Sequence, residues 1–219
     1  MRLRPRQSLF VERSLAALCD HGNTLSIAST GFGKTIALSA VVAKSLEGSD
    51  AKACILAHRD ELTAQNRAKF SRVAPDINTS VVDAEAKSWA GRATFAMVPT
   101  LSRPANLAAM PALDLLVIDE AHHAVADSYR RIIDHVRGAN PACRIFGVTA
   151  TPNRGDRKGL REIFDNVGEA PEVRSRGCRC PRRSIRRLGF LRRRRCALSV
   201  WAWEWLPGCL AYTVRNERG

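Results

Sequence analysis

The stretch "ASTGFGKT", residues 28 to 35, constrains this chain more than any other. It runs out of an apolar segment, "TLSIAS" (24 to 29), and into a helical pattern, "KTIALSAVVAKSLEG" (34 to 48), so a glycine-rich turn joins a strand to a helix. A triphosphate asks for that arrangement. It needs a ring of backbone N–H groups, a helix N-terminus aimed at negative charge, a lysine for the terminal phosphates and a hydroxyl for Mg²⁺. Gly31 and Gly33 give close backbone approach, Thr30 and Phe32 share the turn, Lys34 supplies the cation and Thr35 the metal ligand. The strict pattern wants glycine where this chain has Ala28.

Five further apolar runs follow: "ACILAH" (53 to 58), "NTSVV" (78 to 82), "ATFAMV" (93 to 98), "LDLLVIDE" (113 to 120) and "CRIFGVTA" (143 to 150). Helical patterns separate them at "RDELTAQNRAKFSRVA" (59 to 74) and "ADSYRRIIDHVRGANP" (126 to 141), and a short helix is expected near "GLREIF" (159 to 164). Strand and helix alternating in this way predict an α/β domain, a parallel sheet with helices on both faces.

"LLVIDEAHH", residues 115 to 123, ends a predicted strand in two carboxylates. Ligands of open α/β sheets bind at the carboxyl ends of strands, and adjacent side chains there point in different directions. Asp119 is placed to hold Mg²⁺ opposite Thr35, leaving Glu120 to orient and polarise an attacking water, with Lys34 on the phosphates. Adjacent side chains such as those of His122 and His123 are expected to diverge, and no Cys or further His keeps metal-ligand spacing with them.

In order and separation, "ASTGFGKT", "AHRDELTAQ", "VIDEAHH" and "GVTATPNR" resemble the first motor domain of a superfamily 2 helicase of the DEAH type, the branch that includes the restriction-enzyme helicase subunits. That branch commonly has alanine at the position of Ala28. The resemblance covers residues 2 to 168 and implies a RecA-like phosphate-loop NTPase using ATP and Mg²⁺. It implies that Gln7, in "LRPRQ", reads the adenine edge. Arg59 in "AHRDELTAQ", with Thr100 and Arg103 in "VPTLSR", would contact the nucleic-acid backbone. His122, Thr149 and Thr151 would couple the nucleotide site to strand movement. DNA is favoured over RNA as the partner.

Charge divides the chain. Residues 1 to 170 hold 22 Lys and Arg against 18 Asp and Glu, a net of +4, whereas residues 171 to 219 hold 13 Arg against 3 Glu, a net of +10. The last 49 residues lack Lys and Asp yet contain four of the seven Cys and three of the four Trp, so we expect a boundary near residue 170. Arg, Cys, Trp, Pro and Gly rise together there. That fits an out-of-frame translation of a GC-rich gene, and the expectation is an irregular or disordered tail with no second helicase domain in it. Three other readings compete: a basic arm stacking on single strands, a zinc site from Cys178, Cys180, Cys196 and Cys209, and a membrane segment at "CALSVWAWEWLPGCLAYTV". The last is opposed by Glu204, since a mid-span acid costs roughly 2.5 to 3.5 kcal/mol.

The start of the chain has no continuous apolar core of a signal peptide, and Cys19, Cys54 and Cys143 show no disulfide spacing, as in a reduced, cytoplasmic protein. The function expected is an ATP-driven DNA helicase or translocase motor domain, a fragment with weak or no unwinding alone. A separate subunit would then provide the second motor domain and its arginine fingers, whose loss costs roughly 10³- to 10⁵-fold in turnover. The alternative is a non-catalytic nucleic-acid-binding remnant or subunit.

Overall fold

The computed structural model describes residues 2–58, 60–150 and 157–169. Expectations for Arg59, for Thr151 and for everything after residue 169 lie outside these described residues.

The chain opens with helix α1 (Pro5–His21), then β1 (Asn23–Ile27), α2 (Lys34–Leu46), β2 (Ala53–Ala57), α3 (Asp60–Val73), β3 (Thr79–Val82) and β4 (Ala93–Met97). Two short helices, α4 (Val98–Leu101) and α5 (Pro104–Ala108), lead into β5 (Leu115–Asp119). A 3₁₀ turn at Ala121–His123, α6 (Asp127–Ala139), β6 (Arg144–Thr149), α7 (Arg157–Ile163) and β7 (Asn166–Glu169) complete the described order. The seven strands form one sheet, β3-β4-β2-β5-β6-β1-β7, and every pairing is parallel. Each of the six expected strands is present within two residues or so of its predicted limits. The edge strand β7 and helix α1 were not expected: β7 has only four residues, and α1 begins in an arginine-rich stretch that reads as a solvated terminus.

Successive side chains of a strand point to opposite faces, and burial of both faces is why the central strands read as unbroken apolar runs. Ile55 of β2, Leu115 and Val117 of β5, and Phe146 and Val148 of β6 point to one face, against Phe10 and Leu18 of α1, Val41 and Val42 of α2, and Phe70 of α3. Cys54 and Leu56, Leu116 and Ile118, and Ile145 point to the other. There they meet Tyr129, Ile132, Ile133 and Val136, the one apolar stripe of α6 at i, i+3, i+4 and i+7. Helices thus cover both faces. Helix α1 buries Phe10, Val11, Ser14 and Leu18 and stops at Gly22, where φ is +74°.

Since all strands run the same way, the loops after β1, β2, β4, β5 and β6 share one edge of the sheet. One close approach sets the geometry there. A Cβ on Gly147 of β6 would lie 2.5 Å from the Phe164 ring and 2.9 Å from the Ala121 side chain, so only glycine lets the turn after β5 sit against β6. Burial pushes the thiol of Cys143 up to about 12 and that of Cys54 higher still, each raised secondarily by a neighbouring group (Asp114 for Cys143, Cys143 for Cys54), and both are free. They are packing residues and not nucleophiles.

Candidate nucleotide-binding site

The turn from β1 to α2 doubles back through two left-handed glycines, Gly31 at φ +83° and Gly33 at φ +84°. Ala28 is buried at 1% exposure and donates its N–H to the Thr149 carbonyl at 2.9 Å, which ties the loop to the end of β6. Its methyl group fits there. Gly33 caps α2 without a side chain, and its carbonyl accepts from Ile36 and Ala37 N–H. The N–H groups of Lys34 and Thr35, in the first turn, have no intrahelical acceptor and carry the positive end of the helix dipole.

Gln7 reaches this loop from α1. Its Nε2 donates to the Phe32 carbonyl at 3.2 Å and its Oε1 accepts from Arg4 N–H at 3.0 Å, while the Phe10 and Phe32 rings lie 5.3 Å apart. The amide thereby clips the glycine loop from beneath. A Cβ on Gly33 would fall 2.6 Å from that amide nitrogen.

Across the crevice, β5 delivers the two carboxylates. Asp119 ends the strand partly buried, with Oδ1 accepting from Glu120 N–H at 3.0 Å and Oδ2 accepting from Asn66 Nδ2 at 3.0 Å. Burial holds its carboxyl above the usual carboxylate range and the Glu120 charge adds to this, against the lowering effect of Asn66, the Glu120 N–H and Lys34. Glu120 is the one non-glycine residue at positive φ among the described residues, at φ 53° and ψ 55°. Such a conformation costs roughly 1 to 3 kcal/mol and persists where surrounding contacts impose it. It turns Glu120 toward Lys34, whose Nζ donates to Oε1 at 2.9 Å.

His122 Nδ1 lies 3.2 Å from Thr149 Oγ1 and 3.4 Å from Glu120 Oε2, so one imidazole links the acid after β5 to the end of β6. His123 is not an isolated surface residue: its ring stands 4.1 Å from that of His122 and 5.3 Å, nearly parallel, from that of His58 after β2. After β4, Thr100 is buried on α4 at 3% exposure and its carbonyl accepts from Asn106, whereas Arg103 is exposed. Of the two residues predicted from "VPTLSR", Arg103 presents its side chain to solvent.

Lys34 and Glu120 are therefore in contact, with Asp119 beside Glu120 and His122 and Thr149 adjoining it. Sequence reasoning missed Asn66. Thr63, Asn66 and Phe70 fall on one side of α3 and are all buried, so helical spacing places Asn66, like Thr63, among the polar residues of an inward stripe.

Residues 1–154 match the family described as "Type III restriction enzyme, res subunit". The chain belongs to this family. Among curated relatives, IRC3 of Saccharomyces cerevisiae, named as an ATP-dependent helicase, is 30% identical over 64% of this chain and 22% of its own length. The ATP-dependent DNA helicase MPH1 of Pyricularia oryzae is 29% identical over 67% of this chain and 14% of its own length. The chain thus spans less than a quarter of these two relatives. Saccharomyces cerevisiae Dbp5, solved bound to RNA and ADP BeF3, shares the fold with a TM-score of 0.63 at 18% identity, over 78% of this chain and 50% of that one. The fold is that of a RecA-like helicase domain.

Proposed function

We propose that residues 1–170 form an ATP-binding motor domain that couples hydrolysis to nucleic-acid binding, and that residues 171–219 are a separate segment outside it. The contact between Lys34 and Glu120 carries this reading, because it brings the lysine of a phosphate loop to the acid that ends a neighbouring strand. Lys34 and the N–H groups of the α2 N-terminus hold the β- and γ-phosphates, and Glu120 orients the attacking water and accepts its proton. Lys34 must leave Glu120 to reach a phosphate, which frees the carboxylate for that task.

The donor set suits Mg²⁺. Thr35 hydroxyl and Asp119 carboxylate are hard oxygen ligands, and a cation beside Asp119 would offset the burial that raises its carboxyl. Bound there, Mg²⁺ would neutralise charge developing on the phosphates. Gln7 is assigned to read the adenine edge, beside its hold on the Phe32 carbonyl. His122, Thr149 and Thr151 are assigned to relay the state of the site, and Arg59 and Arg103 to contact the nucleic-acid backbone; Thr100, buried on α4, would serve that contact through the α4 backbone. DNA is the substrate we favour, by the named DNA helicase among the relatives; RNA is the competing outcome.

The arginine fingers would come from a second motor domain, which the described residues do not include, on this polypeptide or a separate subunit. Turnover by residues 1–170 alone is accordingly expected to be slow, with weak or no unwinding. The test is steady-state ATPase with and without single-stranded DNA or RNA, beside Lys34→Ala. Stimulation by DNA that vanishes in the variant supports the reading; nucleic-acid binding with only the variant's background hydrolysis shows a non-catalytic binding subunit instead.

A further inference from the structure

Asn66 takes no part in the roles assigned so far, yet it holds the carboxylate to which the cation is assigned. Its side chain is buried at 3% exposure in the second turn of α3, and its Nδ2 donates to Asp119 Oδ2 at 3.0 Å. A buried amide and a partly buried carboxylate each lose free energy when unpaired, so the two are mutually required. Glu120 N–H occupies the other oxygen at 3.0 Å. Donors on both oxygens fix the rotation of the carboxylate, and each oxygen retains a second lone pair for a cation. Lys34 bonds Glu120 and not Asp119, so among the described residues Asn66 is the side-chain donor on Asp119.

We propose that Asn66 is a positioning residue for the Asp119 carboxylate, through which α3 sets the geometry of the Mg²⁺·nucleotide site. The inference rests on the nucleotide-site reading above. Helix α3 starts at Asp60, directly after the β2 end that carries His58, so Asn66 stands less than two turns from the helix start. A rigid helix carries a displacement at its start to the amide at Asn66, and the hydrogen bond passes it to Asp119. Groups that orient a metal ligand typically change metal affinity or activity by about 10- to 100-fold when removed.

The test uses the full chain and a fluorescent ATP analogue titrated with Mg²⁺ and, separately, in EDTA. Wild type, Asn66→Ala, Asp119→Ala and the double variant form a cycle. Asn66→Ala is expected to raise the Mg²⁺ concentration for half-maximal binding by roughly tenfold or more. Binding in EDTA stays within about twofold, and the double variant is no worse than Asp119→Ala. An unchanged Mg²⁺ dependence in Asn66→Ala, or additive effects in the double variant, would overturn the inference. Circular dichroism checks folding; if Asn66→Ala does not fold, Asn66→Ser, too short to reach Asp119, is held to the same two criteria. Wild type that binds no nucleotide in either condition overturns the nucleotide-site reading first, and this inference with it.

Discussion

Lys34 Nζ and Glu120 Oε1 lie 2.9 Å apart, although 86 residues separate them in the chain. The lysine is the first residue of α2 and the acid is the first after β5, so the parallel sheet brings two motifs to one crevice. The contact also sets a competition, because the ammonium cannot serve Glu120 and a phosphate at once with full strength.

Glu120→Gln separates binding from chemistry. Removing the charge releases Lys34 to a phosphate and deletes the proton acceptor. Nucleotide affinity should stay equal or rise, while kcat falls by about 10² or more. Lys34→Ala should lose both. Fluorescent nucleotide titration beside single-turnover hydrolysis separates the two variants; a Glu120→Gln chain that hydrolyses at the wild-type rate would exclude Glu120 as the base.

Gly33→Ala tests the loop that Gln7 clips. A side chain at φ +84° costs roughly 1 to 2 kcal/mol, and the new methyl would meet Gln7 Nε2 at 2.6 Å. Urea unfolding should show a loss of at least that size, accompanied by weakened nucleotide binding. Adding Gln7→Ala removes the collision but not the left-handed strain, so the double variant should recover part of the stability and not all of it.

How far the sequence reveals this arrangement depends on the range of each interaction. Apolar runs of strand length and the glycine turn are local, and they place all six expected strands and the start of α2 at Lys34. Strand order is set by which helices cross which face, a long-range matter that no run of ten residues records. Helix α1 was hidden because its exposed arginines mask the spacing of Phe10, Ser14 and Leu18, which shows only once the sheet is there to bury them. Asn66 illustrates the same limit at the site: its inward position is readable from Thr63 and Phe70, whereas its partner Asp119 lies 53 residues on.

His122 and Thr149 share a contact of 3.2 Å that joins the turn after β5 to the end of β6. If this contact carries coupling, Thr149→Val should leave nucleotide binding near wild type and lower the ratio of nucleic-acid-stimulated to basal ATPase by several-fold. A loss of roughly 1 kcal/mol in stability is expected for the missing hydrogen bond in a fully buried residue. His122→Ala should reproduce the loss of stimulation, and the two together should not exceed either alone. Equal stimulation in all three variants would leave the contact a structural one.

Asp119 makes a prediction about stability and pH in which the sign is fixed by its environment. Burial raises its native pKa above 3.8, the value expected when the chain is unfolded. Between those two values the native state binds more protons than the unfolded state, so this group lowers stability as pH rises through that window. Above the native pKa its cost is complete and constant. Asp119→Asn cannot ionise, and its stability relative to wild type should therefore climb with pH from about 4 upward and then level off. Whatever fixed offset arises from pairing an amide with Asn66 and Glu120 N–H is present at every pH and does not alter the slope. Urea unfolding of both proteins in EDTA at a series of pH values measures the difference directly; a flat difference from pH 4 to 7 would contradict a raised Asp119. Mg²⁺ with nucleotide should then reduce the wild-type deficit at neutral pH and have little effect on the variant, since only the wild type offers the cation a charged oxygen at this position.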